Sequence, residues 1–442
     1  MTDARAVAAH IWEQLGGEPG ELDRLEITGP AHTLPSRHAV TGAGAAAVGA
    51  SLLAAASGPV AVDTRGLAVA LCSERYLRID GRSPGAAFAP LSAFHRTADG
   101  WIRLHANYPW HRAAALEVLG AAREEDAAAA IAGWRAADLE EALHAAGGVA
   151  AAVRTADAWW AEFGAAPPLV ERIDLAPAAP RPQRRPRVLD LTRVIAGPVA
   201  TRTLAAHGAD VLRLDPPDRP ELPAQAWDTL PGKRSALLDA RTDAAVLEEL
   251  LAGADVVVTG YRPGALDRFG LSPEALAERH PGLVVVSLSA WGHRGPWGAR
   301  RGFDSLVQAA CGIAVDEGSP EEPGALPCQL LDHATGYLAA AAALLGLRRQ
   351  RTDGGTPGYR LALVATAAWL QGLPRTAEPE PVEQVDPAPY VVDVPAPAGV
   401  LTLARPPGTV GGRPLTWPDP PPAYGAAAPE WPAEPAPGTV AS

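Results

Sequence analysis

The chain has 442 residues, 48% of them hydrophobic and 20% charged, the balance of a globular protein with a sizeable core. Asp and Glu (50) outnumber Lys and Arg (38), and the net charge of −12 argues against nucleic acid as the main partner. Cys72, Cys311 and Cys328 form no CxxC pair, so neither a metal site nor a disulfide framework is expected; the short, interrupted apolar runs predict no membrane span, and a cytoplasmic protein is the expectation.

Residues 1–180 are Ala-rich and helical in pattern, and "VTGAGAAAVGASLLAAASG" (40–58) predicts a helix. It runs into "GPVAVDTRGLAVAL" (58–71), where Asp63 stands at a strand-to-helix transition. An Asp there is either an N-cap or a carboxylate placed at a positive helix end. "HANYPWHR" (105–112) predicts a helix start packed by Tyr108 and Trp110, and Trp159 and Trp160 read as core. "APAAPRPQRRPR" (176–187) reads as a linker.

From residue 188 strands and helices alternate. "RVLDLTR", "ADVLRLD", "DVVVTG" and "LVVVSLSAWG" predict strands. "VATRTLAAHG", "DAAVLEELLAGA" and "SPEALAERHP" predict helices between them, the last opened by a Ser cap. This order implies a parallel sheet with crossover helices, whose ligands sit outside the carboxyl ends of the strands. "ATGYLAAAAALLGLRRQ" (334–350) predicts a second Ala-rich helix, followed by "TPGYRLALVATAAWL" (356–370). The helix-and-strand pattern of residues 40–71 is thus repeated, with Arg360 at the position matched to Asp63. Residues 371–442 are Pro-rich and read as an extended arm holding one strand, "GVLTLAR" (399–405).

Five blocks in order resemble the family III CoA-transferases, the CaiB/BaiF group. They are "VLDLTRVIAGPVATRTLAAHGADVLRLDPP", "GKRSALLD", "ADVVVTGYRPGALDRFGLSPEAL", "LVVVSLSAWGHRGPW" and "GFDSLVQAACG". "VDTRGLAVALCSE" (62–74) is similar to the family's catalytic-Asp segment, and "FAPLSAFHRTADGWIRLH" (88–105) to the start of its small domain. The chain therefore reads as two partial copies, with the late part of the fold placed first. The expected architecture is α/β: a Rossmann-like parallel-sheet domain at 186–370 and a smaller α+β domain within 1–180.

The resemblance implies transfer of CoA between an acyl-CoA and a carboxylic acid through an aspartyl-CoA thioester. Asp63 is the implied nucleophile, and Arg213, Lys233, Arg234 and Arg268 are the implied CoA ligands. CoA is then substrate, no cofactor is held tightly, and the expected assembly is a homodimer or an intramolecular pseudo-dimer. A catalytically degenerate CoA-binding or scaffold protein is the alternative. A 2-methylacyl-CoA racemase is disfavoured, because Phe303 stands where such enzymes place an acid–base His.

Overall fold

The computed structural model describes residues 4–379 and 381–432. The first half contributes α1 (Ala4–Leu15), β1 (Leu25–Thr28), α2 (Val40–Ala55), β2 (Val60–Asp63) and α3 (Thr64–Leu71). A small α+β domain follows. Strands Phe94–Arg96, Trp101–Leu104 and Ala150–Ala152 form an antiparallel sheet, and α4 (Pro109–Leu119) and two further helices pack on it around Ile102, Leu104 and Leu139. The first half closes with β3 (Glu171–Ala176).

The second half begins with β4 (Arg187–Leu191), α5 (Ala196–Ala206), β5 (Asp210–Asp215) and β6 (Lys233–Leu237). It continues through α6 (Ala244–Gly253), β7 (Val256–Thr259), α7 (Pro273–Arg279), β8 (Val284–Ser289) and α8 (Asp304–Ala310). Next come α9 (Leu330–Asp353), β9 (Thr356–Ala362) and α10 (Leu363–Gln371).

The large sheet has seven strands in the order β6-β5-β4-β7-β8-β9-β3. All its pairs are parallel except β9 with β3. Strands such as "VVVT" and "VVVSLS" are buried along their whole length, as both-face burial of a parallel sheet requires. One face packs on α5, α9 and α2, the other on α6 and α7 through Leu247, Leu250, Leu251 and Leu276. Strand order reverses between β4 and β7, which opens a crevice at their carboxyl ends.

Three boundaries differ from those expected. Because β3 pairs with β9, the first half completes the sheet of the second. The connector after β3 is tied down: the Arg181 guanidinium donates to the Ala254 carbonyl at 2.8 Å. The Pro-rich C-terminal segment is no free arm either. Strands Val391–Ala396 and Gly399–Ala404 form a hairpin that pairs with Arg78–Ile79, and Thr409–Val410 pairs with β2.

The two Ala-rich helices α2 and α9 pack against each other along the middle of the molecule. Small side chains allow that close approach. The longer helix, α9, has the length and hydropathy to cross a membrane, yet 94% of its apolar window is buried inside the protein.

Candidate functional site

A cavity of about 690 Å³ opens at the carboxyl ends of β4, β5, β6, β7 and β8. That size suits a small-molecule ligand. Its floor includes Leu191, Arg193 and Val194 after β4 and Gly260, Tyr261 and Arg262 after β7, so it lies at the strand-order reversal. Leu214, Leu238, Leu247, Leu266 and Leu271, with Phe269, make an apolar slot on one side. The small domain supplies another wall: Tyr108 and Trp110 stack with centroids 4.8 Å apart, and His111 lies beside them. "HANYPWHR" does start a helix, as expected, but its aromatic residues also face the cavity.

Seven arginines line this space: Arg193, Arg219, Arg241, Arg262, Arg268, Arg300 and Arg301. Arg241 is paired with Asp218 and Asp239, and Arg300 with Glu141. Among the described residues Arg219, Arg262, Arg268 and Arg301 have no carboxylate partner; Arg219 lies 4.6 Å over the Trp110 ring and Arg268 4.7 Å over Phe269. Burial and the nearby Arg262 and Arg219 push Arg301 below its ordinary range. Burial, with Arg301, Arg219 and Arg193 close by, drives His111 down to about 3 and keeps its ring neutral. A cavity with this many uncompensated guanidiniums is built for an anion, and phosphate oxygens suit the planar fork.

The wall is anchored by Glu221, which is wholly buried. It accepts hydrogen bonds from the Tyr108 hydroxyl (2.5 Å), the Val194 N–H (2.9 Å) and the Arg213 guanidinium (3.0 Å). Glu221 thereby couples the small domain to the sheet. It also holds Val194 at φ 69°, a left-handed conformation that is strained for a β-branched residue. Neither Glu221 nor the cluster Arg219, Arg262 and Arg301 was evident in the sequence, because each comes from a different loop. The signal available was the density of arginines just after each strand.

Of the four basic residues expected to hold CoA, Arg268 lines the cavity. Arg213 does not. Its neighbour Leu214 faces the cavity, and successive strand residues point to opposite faces. Arg213 is entirely buried, bonded to Asp215 at 2.7 and 3.0 Å and to Glu221. Lys233 opens β6 at the end remote from Leu238. Its ammonium is buried and donates to Asp190 (3.0 Å), Thr201 (2.6 Å) and the Pro198 carbonyl (2.9 Å). Burial brings its pKa down to about 8. Arg234, next to it, pairs with Asp210 and donates to the Glu430 carbonyl, holding the C-terminal segment on the sheet. None of these three lines the cavity.

Asp63 ends β2 and caps α3, as its position in the sequence predicts: its Oδ1 accepts from the Arg65 N–H at 3.0 Å. Its Oδ2 accepts from the Tyr390 hydroxyl at 2.5 Å, which raises the Tyr390 pKa to about 12. None of Asp63, Arg65 and Tyr390 lines the cavity. The repeat also needs a correction. Arg360 lies inside β9 and pairs with Glu274 at 2.8 Å. The residue that ends β9 and stands at the N-cap of α10 is Ala362, two positions later. It is Ala362 that corresponds to Asp63, and Leu363, next to it, lines the cavity. Trp159 is core as expected, packed on Phe163, Trp291 and Trp297.

Residues 186–395 match the model of CoA-transferase family III. The chain is 33% identical over 225 residues to a probable fatty acyl-CoA transferase (Rv3272) of Mycobacterium tuberculosis, covering 46% of this chain and 57% of that protein. It is 33% identical over 226 residues to the acetyl-coenzyme A transferase nodX of Hypoxylon pulicicidum, covering 48% of this chain and 36% of that one. A crystal structure of a CAIB/BAIF family protein from Brucella suis aligns at 26% identity with a TM-score of 0.37, over 48% of this chain and 63% of that chain. The chain spans about half the length, or less, of these two curated relatives. Every strand of the large sheet except β3 falls in the segment that matches the model of CoA-transferase family III.

Proposed function

We propose that the chain binds a CoA thioester in the cavity between the large sheet and the small domain, and that its reaction is transfer of CoA between carboxylic acids. The observation that carries the binding is the set of cavity arginines without carboxylate partners. Arg268 and the Arg219, Arg262 and Arg301 cluster would take the phosphates, and the leucine slot with Phe269 would take the adenine. The similar proteins named as fatty acyl-CoA and acetyl-CoA transferases support the reaction class.

If transfer runs through an aspartyl thioester, Asp63 is the carboxylate at a helix start with two donors on it, as such a nucleophile needs. A second reading, acyl-CoA binding without that covalent step, is favoured by one observation. The strand-to-helix junction facing the cavity carries Ala362 and Leu363, and the carboxylate of the repeat is elsewhere.

Calorimetric titration with CoA tests the binding. Arg268→Ala and Arg301→Ala should each weaken it about tenfold, on the order of 1.4 kcal/mol, and Asp63→Asn should not change it. Unchanged affinity in both arginine variants would remove the cavity as the CoA site. Incubation with an acyl-CoA followed by hydroxylamine separates the two reactions: the aspartyl route predicts a mass change on the peptide holding Asp63, and binding alone predicts none.

A further inference from the structure

Residues 419–431 lie beyond the segment that matches the family model, and they run along β6, the edge strand of the large sheet. The Gly232 N–H donates to the Asp419 carbonyl at 2.9 Å, the Ala427 N–H to the Ser235 carbonyl at 2.8 Å and the Trp431 indole N–H to the Leu250 carbonyl at 2.8 Å. Such a strap protects an edge that would otherwise be open to pairing. Tyr424 makes a contact that edge cover does not require. Its neighbour Gly425 is pinned by an N–H bond to the Ser235 hydroxyl at 2.9 Å. The Tyr424 hydroxyl reaches the loop 216–222, between β5 and the helix Pro223–Thr229, and accepts from the Glu221 N–H at 3.0 Å. Burial, with Asp215 close by, raises the phenol to about 12, so its oxygen is a neutral acceptor.

The loop it holds carries two groups of the cavity. Arg219 lines it with its guanidinium over Trp110, and the Glu221 carboxylate fixes Val194 and Tyr108. From the cavity side, Arg193 donates to the Arg219 and Pro220 carbonyls, the second at 2.7 Å. From the strap side, Tyr424 holds the next residue of the same backbone. We infer that Tyr424 is a positioning residue for CoA: through the Glu221 N–H it fixes the loop that presents Arg219 to a phosphate, and the C-terminal strap thereby sets the affinity of the cavity. The inference rests on the reading that CoA phosphates bind the Arg219, Arg262 and Arg301 cluster. A guanidinium bonds phosphate oxygens through a fork of fixed geometry, so a displaced backbone costs alignment at both prongs. A loop ordered before the ligand arrives also loses less freedom on binding.

The test is a double-mutant cycle on CoA affinity, measured by calorimetric titration of the full chain. Tyr424→Phe keeps the ring and removes only the accepting oxygen, so the variant should still melt cooperatively. It should bind CoA about fivefold more weakly than the wild type. Arg219→Ala should weaken CoA about tenfold. In the Arg219→Ala background, Tyr424→Phe should add nothing, because the hydroxyl reaches CoA only through that guanidinium. A merely structural tyrosine would lower the melting temperature and leave the cycle additive. Wild-type affinity in Tyr424→Phe, or the same fivefold loss persisting in the Arg219→Ala background, would overturn the positioning role and leave the cavity as the CoA site. Wild-type affinity in Arg219→Ala would overturn the assignment of the phosphates to that cluster, and the positioning role with it.

Discussion

Arg213 and Arg268 are both arginines near the end of the same sheet, yet one is sealed and the other faces the cavity. Removing Arg213 leaves Asp215 without its cation and Glu221 with Arg193 at 3.7 Å, and a buried pair broken on one side costs about 3–5 kcal/mol. Arg213→Met should therefore lower the urea midpoint strongly, whereas Arg268→Ala should leave it within about 0.5 kcal/mol of the wild type. A pH-dependent effect belongs to Asp332, buried in the first turn of α9. Its folded pKa is raised, so folding holds a proton that the unfolded chain gives up above the ordinary carboxylate range. The wild type thus loses stability as pH rises toward its folded pKa, by about 1.4 kcal/mol per unit. Asp332→Asn has no such loss. Thermal melts should show it more stable than the wild type at pH 7, with the difference gone near pH 4; a constant difference would contradict the raised pKa. In the sequence, Arg268 and Arg213 looked alike as basic residues close to strand ends. What separates them is that Arg213 leaves β5 on the side opposite the cavity-facing Leu214, while Arg268 stands in the turn Asp267–Phe269 after β7; a strand buried on both faces shows no alternation that would reveal the first.

At the scale of elements, the strand-helix alternation of residues 187–371 was legible because each β-branched run is short and each helix is bounded by Gly, Pro or a Ser cap. Ser272, whose hydroxyl accepts from the Ala275 N–H at 3.2 Å, is one such boundary. The repeat was legible too, but not its register. Low-complexity Ala-rich helices fix no alignment, and β9 is three residues longer than β2 (Thr356–Ala362 against Val60–Asp63). The matched position therefore slid from Ala362 to Arg360. The two junctions now make a direct comparison. Asp63→Ala removes a cap and the Tyr390 bond, and should cost about 1 kcal/mol in denaturant melts without changing CoA affinity. A loss of affinity would show instead that Asp63 reaches the ligand. Gly336 marks another constraint of the packing: a Cβ there would come within 2.6 Å of the Ala196 carbonyl, where α9 crosses the start of α5 at the cavity.

For the whole molecule, the two halves of the chain form one body. The first supplies the edge strand β3, the helix α2 that packs on α9, and the small-domain wall of the cavity. The second supplies the sheet and the arginines. None of these long-range pairings is written in local periodicity, which is why the chain read as separate segments and an arm. A fragment of residues 186–432 should accordingly fail to give a cooperative melt by circular dichroism, because α9 would expose the face that α2 covers and β9 would become an unpaired edge. A sharp transition would mean that the second half folds alone. The central claim is that CoA occupies the cavity at the reversal of strand order. It is tested most directly by a crystal structure of the chain with CoA. The account predicts phosphate oxygens within hydrogen-bond distance of Arg268 and of the Arg219, Arg262 and Arg301 cluster. CoA bound outside the cavity, away from these arginines, would contradict it.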